Sequence, residues 1–207
     1  PSPPSPRRRP LTITATQVRE LRTRSGAPMM DCKKALSETA GDMDKAAEWL
    51  RKKGIQTAEK KAGRTASEGL VHAYIHHNGR VGVLVEVNCE TDFVAKTDQF
   101  QAFCKEIGLH IASMSPRWLT RDEVPAELVE KEREILGEQI DKSKPADIQA
   151  KIVEGRVNKF YADKCLMEQP WVKDDSKTIE QYRAETVGTI GENIQIRRFV
   201  RFDVGDE

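Results

Sequence analysis

Four valines at positions 81, 83, 85 and 87 alternate along one short run, Val-Gly-Val-Leu-Val-Glu-Val, and they restrict this chain more than any other feature. β-Branched side chains lose χ1 freedom in a helix but stand well on a pleated surface, so the run reads as a strand. A strand carries unpaired N–H and C=O groups along both edges and needs neighbours. One lies just upstream. From Leu70 the period is two, with Leu70, His72, Tyr74 and His76 alternating with Val71, Ala73, Ile75 and His77, and Asn78-Gly79 supplies a tight turn. The other is expected near the C-terminus, where Ile194 to Val204 reads as a third strand. Ile194, Ile196, Val200 and Phe202 are expected to share one face there, and Gln195, Arg197, Arg201 and Asp203 the other, with Arg198 and Phe199 breaking the alternation. The near-continuous apolar run at 81–87 further predicts that both faces of the central strand are covered.

Beyond Val87 the strand breaks into Asn-Cys-Glu-Thr-Asp-Phe-Val-Ala-Lys, an acidic turn that presents Phe93 just before a new helix. Two readings stand side by side. Asp92 caps a turn while Phe93 tucks under the strand exit, or a rigid strand delivers an aromatic anchor to a fixed point for a partner.

The remainder is helical. Residues 16–54 divide into three pieces: a first helix capped by Thr16 with Val18 and Leu21 inward and Gly26 at its end; a second over Asp31 to Thr39; and a third started by Asp42 or Asp44 and stopped at Gly54. A unit this small is only marginally stable alone and suits docking. Between the first two helices stands Ser-Gly-Ala-Pro-Met-Met, residues 25–30. Either both methionines fill an irregular core, or one stays exposed as an adaptable contact. The small, polar residues 55–67 read as a linker or solvated helix, and the linker between the two units is placed at 55–69. After the first two strands, Thr97 or Asp98 opens a helix carrying Phe100, Phe103, Cys104, Ile107 and Ile111, and Lys144-Pro145 divides a helical hairpin over 125–168. A last helix is expected over Ser176 to Ile190.

Composition narrows the function. Lys plus Arg number 34 against 33 Asp plus Glu, a net charge of +1, which argues against a dedicated nucleic-acid binder. No apolar run approaches the roughly 20 residues that span a bilayer. Residues 1–15 form a Pro- and Arg-rich leader, expected to be disordered and lacking the apolar stretch of a secretory signal. Cys32, Cys89, Cys104 and Cys165 are widely spaced and read as free thiols in a reducing compartment, the cytoplasm or an organelle interior. His72, His76 and His77 cluster near one turn, but adjacent residues of a strand face opposite sides, so no metal site is expected. His110, within an apolar helix, reads as a hydrogen-bonded buried residue, and Arg197, Arg198 and Arg201 as a solvated strand face. No phosphate-binding glycine loop and no paired nucleophile and base occur, so neither a cofactor nor an active site is expected.

Two segments carry a resemblance. Met29-Met30-Asp31-Cys32-Lys33-Lys34-Ala35-Leu36 and Asn88-Cys89-Glu90-Thr91-Asp92-Phe93-Val94-Ala95-Lys96 are similar to the two signature segments of the translation elongation factor Ts family, in the right order and separation, and the similarity extends from about Thr16 to Phe202. The resemblance implies an α+β protein, an N-terminal three-helix UBA-like module followed by an antiparallel sheet packed with helices, the dimerisation core. It implies a guanine-nucleotide exchange factor for elongation factor Tu. Arg22, Met29 and Met30 are expected to touch the partner's GTPase domain, and Thr91, Asp92, Phe93 and Val94 to push in near its magnesium and phosphates. Longer members carry two core halves and an inserted coiled coil. Here one strand hairpin and a modest helical region are visible, so a homodimer is expected. The competing readings are a ribosome- or RNA-associated docking protein without exchange activity, and an enzyme whose site the sequence does not show.

Overall fold

The valine run is the middle strand of a three-stranded antiparallel sheet. The computed structural model describes residues 13–206; most of the leader, residues 1–12, lies outside the described residues. Strand β2 (Val81–Cys89) is flanked by β1 (Glu68–Ile75) and β5 (Gln195–Asp203), in the order β1-β2-β5. Val83, Val85 and Val87 all point to one side and are buried against Phe100, Phe103, Ile107 and Ile111 of α5 (Asp98–Met114) and against Ile179 and Val187 of α8 (Ile179–Ile190). Each such side chain contributes about 1.5–3 kcal/mol by leaving water, so this layer dominates the core's stability. The expected caps and inward residues of α5 hold: the Thr97 side chain accepts from Phe100 N, and all five named side chains are buried.

Among the described residues, nothing covers the other side of the sheet. Val71, Ala73 and Ile75 of β1 pair with Glu86, Leu84 and Gly82, which pair in turn with Arg198, Val200 and Phe202 of β5. Val71, Ile75, Leu84, Val200 and Phe202 are all exposed, Phe202 at 67 %. The expectation that both faces of β2 are covered is therefore corrected: burial along β2 alternates, and Leu84 sits on the open side. The expected facing of β5 is corrected too. Glu86 pairs with Arg198 but Val87 pairs with Ile196, so Arg197 is an extra residue in a bulge. A bulge turns the following side chains over. Ile196 and Phe199 thus face the core while Val200 and Phe202 face out, which accounts for the broken alternation at Arg198 and Phe199. Arg198 bonds Glu86 at 2.6 Å and Arg201 bonds Asp203 at 2.6 Å.

Helices α1 (Ala15–Ser25), α2 (Met29–Glu38) and α3 (Met43–Lys61) enclose a smaller core of Val18, Leu21, Cys32, Ala35, Leu36, Ala46 and Leu50. The first cap is Thr14, not Thr16. Gln17 lies three residues beyond Thr14, and the two side chains close a reciprocal capping box. The stop expected at Gly54 is also corrected. Helix α3 runs through it to Lys61, so most of the first half of the expected linker is helical, and Ala58 joins the main core. Gly54 serves a different purpose. A Cβ on it would lie 3.3 Å from Ala184 O, and one on Gly188 would lie 3.1 Å from Gly54 Cα, so the two bare glycines let α3 and α8 lie backbone to backbone.

Helices α6 (Ala126–Glu138) and α7 (Ala146–Lys164) form the expected hairpin around Val129 and Val157, with Arg133 and Glu154 paired at 2.8 Å. One element escaped the sequence reading. Pro170–Trp171 (β3) pairs with Asp174–Thr178 (β4), and Trp171 stacks on Tyr182 with ring centroids 4.1 Å apart. The last helix therefore starts after Thr178, whose capping box with Gln181 fixes its entry.

Candidate functional site

The turn after β2 is built to hold an aromatic side chain outside the protein. Thr91 adopts an extended backbone and its side-chain oxygen accepts from Val94 N at 3.4 Å, which caps the four-residue helix α4 (Asp92–Ala95). Val94 and Ala95 pack against the main core. Phe93, on the opposite side of the turn, is 78 % exposed, more than any other large apolar residue among those described. This sets aside one reading of the sequence: Phe93 does not tuck under the strand. Asp92 bonds Lys96 at 2.6 Å, and that hydrogen bond holds its carboxyl below the usual carboxylate range.

A second segment grips the turn from behind. Gly191, left-handed at φ +86°, ends α8, and the residues after it project back toward residues 90 and 91. The Glu192 carboxylate accepts from Glu90 N and Thr91 N at 3.0 Å each and from the Thr91 hydroxyl at 2.7 Å. In return Glu90 accepts from Asn193 N at 2.7 Å, and the Asn193 side-chain amide donates to Arg64 O at 2.8 Å. None of Glu90, Glu192 or Asn193 was singled out from the sequence. A capping glycine followed by two polar residues signals a tight turn, but its contact a hundred residues away carries no local signal.

The remaining expected site residues form a separate group. Arg22 is exposed in the last turn of α1. Met29 and Met30 occupy the first turn of α2 and are both exposed, Met30 at 71 %. Burial of both in an irregular core is thus set aside. This corner joins α3 through Lys53 and Asp31, 2.5 Å apart, and α3 joins the Phe93 turn through Ala62, Arg64 and the 191–193 loop. Among the described residues no hydrogen bond or ion pair links Arg22, Met29 or Met30 to residues 91–94 directly.

Other places offer little chemistry. A cavity of about 650 Å³ separates the three-helix unit from α8 and the β3-β4 ribbon. Its charged lining is paired: Lys53 with Asp31, Arg51 with Glu185 at 3.4 Å, Lys177 with Glu185 at 2.7 Å, and Arg24 with Asp44 outside the cavity at 2.8 Å. Burial pushes the thiols of Cys89 and Cys165 up to about 11 and that of Cys104 up to about 12, which keeps them protonated and poorly nucleophilic. His110 is buried, with Nδ1 accepting from Val172 N at 3.2 Å and Nε2 facing Gln169 Oε1 at 3.0 Å. Because Gln169 spends its amide hydrogens on Met114 O and Asp163 O, Oε1 faces the ring, and His110 is the neutral Nε2–H tautomer. It is a structural tie between α5, α7 and the ribbon. No described helix is long and apolar enough to cross a membrane.

The profile of the family described as Elongation factor TS matches residues 43–206. The chain belongs to the elongation factor Ts family. It is 57 % identical to Elongation factor Ts of Geobacter sulfurreducens over 197 residues, 95 % of this chain and 91 % of that one. It is 58 % identical to the Geobacter metallireducens protein over the same shares. With Elongation factor Ts of Fervidobacterium nodosum it is 54 % identical over 95 % of this chain and all of the relative. As a family member it is an α+β protein of helices and a small antiparallel sheet, and a translation elongation factor.

Proposed function

We propose that this chain is a guanine-nucleotide exchange factor for elongation factor Tu, and that Phe93 is the side chain that drives the exchange. The observation that carries this is a large aromatic ring, 78 % exposed, held at the tip of a braced turn, as an interface anchor would be. By linkage, a factor that binds nucleotide-free partner more tightly than nucleotide-bound partner weakens the nucleotide by the same factor. Phe93, pushed between elements of the GTPase with Thr91, Asp92 and Val94 beside it, shifts the groups that hold Mg²⁺. The phosphates then lose the cation that neutralises them and GDP leaves faster. Arg22, Met29 and Met30 add a second, adaptable contact. No covalent bond is made or broken by the factor.

The test is stopped-flow release of a fluorescent GDP analogue from elongation factor Tu at fixed Mg²⁺. Acceleration that saturates with the concentration of this chain supports the reading. Confirmed binding without acceleration would leave a docking protein instead.

The uncovered side of the sheet supports a second part of the proposal, a homodimer. Val71, Ile75, Leu84, Val200 and Phe202 make one apolar stripe across all three strands. A two-fold contact must complement itself. Glu86 and Arg198, beside this stripe, already pair with each other at 2.6 Å, so that pair does not oppose the meeting of the patch with its own copy. We expect sedimentation at micromolar concentration to give the mass of two chains, and Leu84→Glu to give one. A single-chain mass for the unaltered protein removes the dimer.

A further inference from the structure

We propose that Glu192 is a positioning residue for nucleotide exchange: it holds the 90–94 turn in the one conformation that presents Phe93. The inference rests on the exchange reading above and extends it to a residue about a hundred positions away in the chain. Three donors converge on one carboxylate. Oε2 takes Glu90 N and Thr91 N, and Oε1 takes the Thr91 hydroxyl. The hydroxyl has a single hydrogen. Committing it to Glu192 leaves an oxygen lone pair for Val94 N, so the carboxylate orients the cap of α4 as well as its approach. Helix α4 has only four residues and cannot hold itself. Without this brace the turn keeps the Cys89 thiol on Thr91 O, Asn193 N on Glu90, and Val94 and Ala95 against the core, but loses all three bonds that fix the approach at Glu90 and Thr91 and orient the cap.

Chemistry explains the residue type. Hydrogen bonds to an ionised acceptor are about twice as strong as neutral ones, and two oxygens are needed to take three hydrogens from two directions. Gln offers one oxygen. Its amide can still donate to the Thr91 hydroxyl, which then accepts rather than donates, so Glu192→Gln keeps part of the network. Glu192→Ala keeps none. The brace is itself braced: Gly191 O accepts from Lys61 Nζ, Asn193 donates to Ala62 O and Arg64 O, and Arg64 approaches Glu90 at 3.5 Å. The end of α3, the 191–193 loop and the Phe93 turn are thus one hydrogen-bonded body.

If the turn is competent in about a tenth of molecules once the brace is gone, apparent affinity falls about tenfold while the bound complex still reacts normally. The experiment compares the intact chain with its Glu192→Ala and Glu192→Gln variants. Amide hydrogen exchange is measured on the free proteins, and the rate of GDP-analogue release from elongation factor Tu is measured as a function of their concentration. For Glu192→Ala we expect the amides of Glu90, Thr91 and Val94 to exchange at least about tenfold faster while the β2 amides stay protected. The half-saturating concentration should rise about tenfold with the plateau rate unchanged, and Glu192→Gln should recover to within about threefold of the intact chain. Unchanged exchange at those three amides overturns the proposal. A lower plateau at unchanged half-saturation also overturns it, since Glu192 would then act on the partner itself. Loss of protection throughout β2 in both variants would show a general stability role and overturn it as well. The hydrogen-exchange arm needs no partner, so it stands even if the intact chain fails to accelerate release, an outcome that sinks the exchange reading rather than the brace.

Discussion

The Phe93 turn and the Met29-Met30 corner both hold apolar side chains in water, but the protein supports them in opposite ways. The corner is the start of an ordinary helix behind Pro28, with no side-chain cap, on a small core of its own. The turn is a single helical turn bound from behind by a carboxylate that takes three hydrogen bonds. Methionine adapts to the surface it meets, whereas an aromatic ring on a fixed turn imposes its shape. On the proposed reading, the difference separates two tasks, gripping the partner and deforming it.

The strongest way to break this division is Phe93→Ala. Removing a central aromatic anchor costs about 2 kcal/mol or more, so the plateau rate of GDP release should fall about thirtyfold while thermal unfolding stays nearly unchanged, because Phe93 is 78 % exposed in its own chain. A change mainly in half-saturation would make Phe93 a grip instead. Met30→Ala should do less and do it elsewhere: about 1 kcal/mol, seen as an approximately fivefold rise in half-saturating concentration at an unchanged plateau. A plateau effect as large as that of Phe93→Ala would erase the distinction.

The smallest effect is on pH. All four histidines lie outside the three-helix unit, and burial pushes the buried His110 below its ordinary value. A depressed histidine binds its proton more readily when unfolded. Its contribution is therefore fully present above about pH 6.5, is lost as pH falls from there toward the folded value, and then levels off. Protonation would also set an N–H of His110 against that of Val172. Mild acid should weaken the sheet unit and spare the helical one. Trp49 reports on the three-helix unit, and Trp118 and Trp171 on the rest. Single-tryptophan fluorescence at pH 7 and 5.5 would read the two separately, and parallel loss from both would show that they unfold as one.

Much of this was legible in the residues themselves. Alternating valines made β2, Asn78-Gly79 made its hairpin, helical spacing picked out the buried side of α5, and the two signature segments pointed to the family. Those features are local: they arise from side-chain sterics and periodicity within a few residues. What tertiary structure decided was everything that depends on a distant neighbour. Gly54 looks like a helix stop, yet it is a contact point, because Gly188 of α8 meets it there. Val200 and Phe202 look like core, yet the bulge at Arg197 turns them to the open side of the sheet, because strand facing depends on register with β2. Phe93 by itself could anchor or tuck away. A carboxylate a hundred residues downstream holds its turn outward, and such a hydrogen bond is a property of the folded chain that no stretch of sequence carries alone.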